Sequence, residues 1–417
     1  MFLNNGQWIG GTKMSWNVAL NKVIEIKKAY IDRFGEARLY THNSRTCLDH
    51  WVNELGMKEY KDILSDLHKN EKDGMILLRY RLPHPIDGKD FYRAYDGLMT
   101  ECRSVVIDLK KETLVLVPFK KFRNLNECEE TSEANIRERL EKAEVVEFSD
   151  KLDGSMQSAR FYDGKLIVAG SRSIDRGASF RLDNGYRFIE THENYLSMLK
   201  DHPDLTFIFE YIADDDPHVV DYSSKEKGLY LIGIRDVSSG REFHYREVHS
   251  FAERYDIMTT TLSSTDIDGA MEILATVDGK QKEGFVVNID GFRIKMKSEE
   301  YVALNTAIWG LLDDHVLFNT VKADLLDDVL PKINEPMRSE VLEKANRIIS
   351  FVKERESITE KHLSELEEQG LNDKKDAMIW IAKNVPEEYA SFVRNAYLGN
   401  DVDYLKNVRV EDILGTE

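Results

Sequence analysis

Apolar positions along the chain recur first at helical spacing, then at strand spacing, then at helical spacing again. From Ser15 to Phe34 the residues Leu20, Val23, Ile24 and Ile31 predict a helix, with Ser15 as its cap and Gly35 as its stop. Leu48, Trp51, Val52 and Leu55 recur at i, i+3, i+4 and i+7 and predict a second amphipathic helix. Strand-like runs follow at Met75–Tyr80, Ser104–Leu109, Leu114–Phe119, Glu144–Phe148, Leu166–Gly170, Leu205–Ile212, Leu229–Ile234 and Gly284–Ile289. Helical patterns interrupt them at Glu133–Ala143 and around Phe188–Lys200. Strands in runs with few helices between them predict antiparallel sheets in an α+β domain, not a doubly wound fold.

Past residue 300 the helical period returns. Leu342, Ala345, Ile349 and Val352 share one helical face, and Met378–Ala382 and Phe392–Leu398 predict further helices. Only Gly310, Gly370, Gly399 and Gly415 occur from residue 301 onward, too few for a barrel of tightly turned strands. The expected organisation is residues 1–300 as one domain, its first 70 residues helical, and 301–417 as a small all-α domain.

Composition narrows the class. With 417 residues, 42% hydrophobic and 32% charged, the chain is an ordinary globular protein with room for two or three cores. No apolar run approaches the roughly 20 residues of a membrane span, and Met1 to Trp16 lacks the apolar centre of a secretory signal. Cys47, Cys102 and Cys128 are odd in number and unclustered, which argues against a disulfide framework or a structural zinc. Together these predict a cytoplasmic protein and no membrane span, and no obligate protein partner is evident in the sequence. The net charge of −18 means that any nucleic-acid footprint is confined to one basic cleft.

The chemistry centres on Asp150-Lys151-Leu152-Asp153-Gly154-Ser155. A lysine at a strand mouth, followed by a glycine turn, becomes a nucleophile once its pKa falls from roughly 10.4. Taken alone, K-x-D-G-S reads equally well as a solvated turn. Four further patches change that. Glu101-Cys102-Arg103-Ser104 and Phe119-Lys120-Lys121-Phe122-Arg123-Asn124 interleave cations with aromatic and amide groups, as a phosphate and base site requires. Ser171-Arg172 ends a strand. Glu210 interrupts the apolar run Phe207–Ile212 and needs a cation, a ribose hydroxyl or a metal as partner. Glu283 precedes a predicted hairpin whose Lys295 and Lys297 point to one face. Two like charges on one face call for an anion such as a triphosphate, and their field is expected to lower the pKa of a neighbouring Lys151.

In this order and spacing, E-C-R-S, K-F-R-N-L-N-E, K-L-D-G-S, E-G-F-V-V and K-M-K-S-E-E-Y resemble the covalent nucleotidyltransferases, and within them the phage-type RNA ligase 1 family of tRNA-repair enzymes. The resemblance covers roughly residues 75–330. It implies a nucleotidyltransferase domain of antiparallel sheets with flanking helices, using ATP with Mg²⁺ or Mn²⁺ to join RNA ends. It makes Lys151 the residue that carries AMP, with Asp153 and Gly154 completing its loop. It assigns Glu210 to the ribose or a metal, and Glu283 to the glutamate of the penultimate motif. Lys295 and Lys297 become the pair on the α-phosphate, and Tyr301 an essential tyrosine. Tyr80, Arg103, Lys121 and Arg172 fall on the nucleotide-contacting positions, and Asp327-Asp328 on an acidic pair associated with divalent metal. Three residues depart from the pattern: Ser104 replaces a glycine, Arg123 an aromatic, and Arg172 a frequent lysine. A DNA ligase or a GTP-using capping enzyme of the same superfamily is the alternative reading, and a catalytically inactive RNA-binding homologue another.

Overall fold

The computed structural model describes the whole chain except residues 1–7, 10–11, 14, 42–43, 82, 84, 87–89, 324, 331–332, 334, 336, 372, 401 and 416–417. The side chains at 8, 9, 12, 13, 327 and 328 are likewise outside it. The chain divides into two compact units, Met1–Tyr301 and Val302–Glu417.

In the first unit, helices Val18–Phe34, Cys47–Leu55 and Lys58–Ser65 cover one face of a four-stranded sheet. Leu48, Trp51, Val52 and Leu55 are all buried there, as their spacing predicts. The first of these helices is capped by Asn17, which accepts a hydrogen bond from the Leu20 amide, and not by Ser15. Ser15 instead accepts from the Asn17 amide, one step outside the helix.

The sheet beneath runs Leu67–Lys72, Met75–Tyr80, Arg103–Asp108, Thr113–Leu116, all antiparallel. Leu67–Lys72 escapes sequence detection because Leu-His-Lys-Asn-Glu-Lys has no apolar alternation; it is an edge strand needing only one partner. Ser104 sits at an irregularity of this sheet with φ 73°, the left-handed backbone that a glycine adopts without strain. Its hydroxyl donates to the Ser171 carbonyl at 2.7 Å, so the serine keeps the glycine's backbone shape and adds a tether.

Two further antiparallel arrays hold the chemistry. One runs Lys165–Ala169, Ser155–Tyr162, Leu205–Ile212, Gly228–Asp236. The other runs Leu262–Ser263, Val146–Lys151, Gly284–Ile289, Phe292–Lys297, Arg123–Asn124. Its last pairing, Lys295 with Asn124, is parallel. Ser155–Tyr162 hides from pattern reading because it buries Gln157, Ser158 and Arg160. Arg160 donates to the carbonyls of Leu114 and Val115 at 3.0 Å, and Gln157 to that of Arg181 at 2.7 Å. The strand expected to stop at Phe148 continues to Lys151, which places the lysine on the sheet itself. The single helix expected around Phe188–Lys200 is two, Phe180–Thr191 and Glu193–Asp201, joined at His192.

Among its described residues the second unit is helical, with its longest helix at Met337–Glu368 followed by Lys374–Asn384 and Glu387–Tyr397. The buried stripe of the long helix is Val341, Ala345 and Ile348, a rotation away from the expected Leu342, Ile349 and Val352, which are half-buried.

Candidate active site

Strand register does most of the positioning. Gly284 lies opposite Lys151 on one side and opposite Lys297 on the other, so the two lysines stand in one row across three strands. Two strand spacings separate their backbones by roughly 10 Å. A Cβ at position 284 would fall 1.9 Å from the Met296 carbonyl, so only glycine fits between them. Glu283, 2% exposed, reaches into this row and binds both amines. Lys151 Nζ donates to one of its oxygens at 2.8 Å, and Lys297 Nζ to the other at 2.8 Å. One buried carboxylate clamps two lysines.

The turn after Lys151 is pinned from two directions. The Gly154 amide donates to Glu210 Oε1 at 3.1 Å, and a Cβ at 154 would lie 2.4 Å from the Tyr211 carbonyl. Asp153 accepts from the amides of Val219 and Val220 at 2.9 and 3.1 Å, and from the Tyr301 hydroxyl at 2.8 Å. Burial pushes the Asp153 carboxyl up, but His218, these amides and Tyr301 outweigh it and hold its pKa below the usual range. Burial pushes Glu210 up as well, here without equal compensation, to about 7, although Lys151 and His218 resist.

The electrostatics reverse one expectation. Burial favours neutral Lys151, yet Glu283, Glu210 and Asp153 hold its proton on and raise its pKa. The cationic field falls on Lys295 instead. Burial and the neighbouring Lys121, Arg103, Lys151 and Lys297 push Lys295 down to about 7. The reason lies in the strands: Lys151 and Lys297 both reach Glu283, whereas Lys295, two residues earlier, faces the cations at the other edge of the sheet.

That edge joins the upstream motifs to the site. The Phe122 ring lies between Arg103, 5.1 Å from its centroid, and Lys295, at 5.4 Å. Arg103 Nη1 is buried with no hydrogen-bond partner among the described residues. Lys121 and Arg123 lie 5.1 and 5.0 Å from the Tyr92 ring centroid, and Tyr80 meets Tyr92 edge-on at 5.2 Å. Arg123 places its guanidinium over the Tyr92 ring where the motif has an aromatic, and Asp90 fixes it by two bonds of 2.5 and 2.6 Å. Arg172 stands apart from the carboxylates, lining with Arg79, Gly154, Ser155 and Arg181 a cavity of about 450 Å³. Asp327 and Asp328 fall on the helix Leu326–Val329, their side chains outside the described ones.

Sequence reading overlooked His218, Tyr222 and Asp216. Tyr222 accepts from the Asp153 amide at 2.8 Å, and His218 lies between Asp153 and Asp216. The run Asp214-Asp215-Asp216-Pro217-His218 was a visible signal, but nothing local shows that it folds back onto the loop after Lys151.

Residues 101–301, which hold nearly all of the site, match the model of a family described as RNA ligase. A mutant of Naegleria gruberi RNA ligase with ATP and Mn aligns at 20% identity over 41% of this chain and 55% of that chain, with a TM-score of 0.34. The same Naegleria enzyme with PPi aligns at 17% identity over 57% and 80%, TM-score 0.35. An archaeal ATP-dependent RNA ligase aligns at 16% identity over 74% and 82%, TM-score 0.43. The chain thus spans little more than half the length of the first of these relatives.

Proposed function

We propose that the protein is an ATP-dependent RNA ligase that joins 5′-phosphate and 3′-hydroxyl ends through a lysyl-AMP on Lys151. The observation that carries this reading is the shared clamp: Glu283 holds Lys151 and Lys297, which stand in one row across three strands, with Lys295, Arg103 and Lys121 beside them. Such a cluster suits a nucleoside triphosphate, and the buried, unpartnered Nη1 of Arg103 supports an anion there. Lys151 Nζ attacks the α-phosphorus of ATP, the bond to the β-phosphate oxygen breaks, and pyrophosphate leaves. The amine's proton departs along its hydrogen bond to Glu283. AMP then passes to an RNA 5′-phosphate, and a 3′-hydroxyl displaces it to seal the strand. The protein contributes alignment and charge neutralisation.

Among the described residues no cluster of three or more ligating side chains could hold a metal. Mg²⁺ or Mn²⁺ bound through substrate phosphates needs only one or two carboxylates, and Glu210 is the group suited to it. The ion would stabilise charge on the phosphates; Asp327 and Asp328 are proposed as a separate acidic pair. Repair of broken tRNA in the cytoplasm follows from the resemblance to phage-type enzymes and belongs to the same proposal.

Incubation with ATP labelled at the α-phosphate is expected to give an acid-labile, alkali-stable protein adduct that Lys151→Ala abolishes. Undiminished labelling of that variant, or none with the wild type, refutes the reading. Labelling by GTP but not ATP, or sealing of nicked DNA but not RNA, would shift it to a related nucleotidyltransferase.

Lys295 supplies an independent check. With a pKa of about 7 it is largely neutral at pH 8, and a bound phosphate restores its charge. Calorimetric titration of pyrophosphate at pH 8, in buffers of different ionisation enthalpy, is expected to show uptake of up to about one proton per anion. Lys295→Met should remove that uptake. Equal uptake in both proteins would place the phosphate elsewhere.

A further inference from the structure

His218 is 17% exposed and lies between two carboxylates that are more deeply buried than it is. Its Nδ1 is 3.5 Å from Asp153 Oδ1, and its Nε2 is 3.4 Å from Asp216 Oδ2. Asp153 is 6% exposed and Asp216 not at all. Neither acid is neutralised by a lysine: Asp153 takes backbone amides and Tyr301, and Asp216 takes Arg181 Nε at 2.6 Å. Two buried carboxylates within 3.5 Å of the two nitrogens of one imidazole favour the doubly protonated ring by charge alone, since His218 Nε2 and Asp216 Oδ2 have no hydrogen-bond partner among the described residues.

The residue also joins two parts of the site. The segment 213–227 connects the strands Leu205–Ile212 and Gly228–Asp236, and the amides on which Asp153 rests are those of Val219 and Val220, directly after His218. Tyr222 and Tyr301 therefore bond Asp153 in the turn after Lys151, His218 lies against the same carboxylate, and Arg181 holds Asp216 on the far nitrogen of His218.

We propose that His218 is a positioning residue for Lys151: it locks the turn after the lysine onto the segment after Glu210, and its positive charge offsets the carboxylates that face the amine. The proposal rests on the adenylyl-transfer reading for its purpose, but its physical content does not. The charged groups around His218 are Asp153 and Asp216 in contact, Arg181 through Asp216, and Glu210, which is close enough for mutual interaction. Burial disfavours the imidazolium, but Asp153 and Asp216 outweigh it and raise its pKa to about 10. Lys151, with Glu283, Glu210 and Asp153 acting on it, gains further carboxylate dominance if this charge is removed.

The test measures Lys151 itself, without ATP. Modification of the full chain by acetic anhydride across pH 7–11, with the Lys151 peptide quantified by mass spectrometry, follows the rising limb of the amine's titration curve, whose midpoint lies above 10.5 and on which a shift of one pH unit reads as about a tenfold change in rate. His218→Gln is expected to move that curve upward by about one pH unit, and His218→Lys to leave it near wild type. Coincident curves for wild type and His218→Gln overturn the proposal, as do equal shifts in both variants, which would mark a purely structural role. Should His218→Gln fail to fold, the wild-type imidazole decides by NMR: a titration midpoint above pH 8 supports the proposal, and one at or below 6.5 overturns it. Failure to form an ATP adduct would sink the ligase reading and leave these readouts intact.

Discussion

Glu283→Gln is expected to lower the rate of adduct formation by at least about 10²-fold while shifting its pH profile toward lower pH. The two effects have separate origins. Glu283 fixes the directions of Lys151 and Lys297 through its two oxygens, and a neutral amide cannot accept from both amines with equal strength. Alignment is lost. The same carboxylate is the main opponent of Lys151 deprotonation after burial is counted, so its removal makes the amine easier to deprotonate. A free lysine in solution would gain from that; one that no longer points at the α-phosphorus does not. Stability should fall as well, by about 2 kcal/mol, since two partly buried ammonium groups lose their counter-charge. The cost stays below that of a fully buried pair because Lys151 and Lys297 keep 21% and 26% of their side-chain exposure. Adduct formation at the wild-type rate with an unmoved profile would show that the clamp has no part in the reaction.

Glu210→Gln separates activity from stability. In the folded protein the carboxyl has a pKa of about 7, above its ordinary 4.5. A raised acid contributes its full stability below the unfolded value, and loses it as pH climbs through the folded one. Between about pH 4.5 and 7 the ionised glutamate becomes a growing burden, which glutamine does not carry. The variant is therefore expected to melt higher than wild type at pH 8, by about 2 kcal/mol in unfolding free energy, and to match it at pH 4. Glutamine keeps the oxygen that accepts from the Gly154 amide, so the turn stays in place. Adduct formation should nevertheless drop by about 10²-fold or more, because the charge offered to the ribose or metal is gone. Thermal melts at the two pH values check the first part, and α-phosphate labelling the second. A variant less stable than wild type at pH 8 would mean that Glu210 is better compensated than its burial implies.

Much of the molecule could be read before any coordinates. Met75–Tyr80, Leu205–Ile212 and Gly284–Ile289 announced themselves because each is apolar and bounded by turn residues, and their observed limits agree. The α+β class and the helical tail followed from the change of period near residue 300. The motif residues were equally visible, since a lysine before Asp-Gly and two lysines two apart are local facts. Strands that bury polar groups were not, because Gln157 and Arg160 find their partners on distant segments. Nor was the start of the first helix, where the backbone takes Asn17 as the cap in place of the expected Ser15.

By itself the amino-acid order determined which side chains are available for the chemistry, along with most of the framework that carries them. Only the tertiary structure decided how their charges are shared: that Glu283 serves Lys151 and Lys297 together, that Lys295 and not Lys151 loses its proton readily, and that His218 reaches Asp153. The physical reason is that a pKa depends on burial and on neighbours a few ångströms away, and several of those neighbours, Glu283 for Lys151 and Lys121 and Arg103 for Lys295, lie more than a hundred residues away in the sequence.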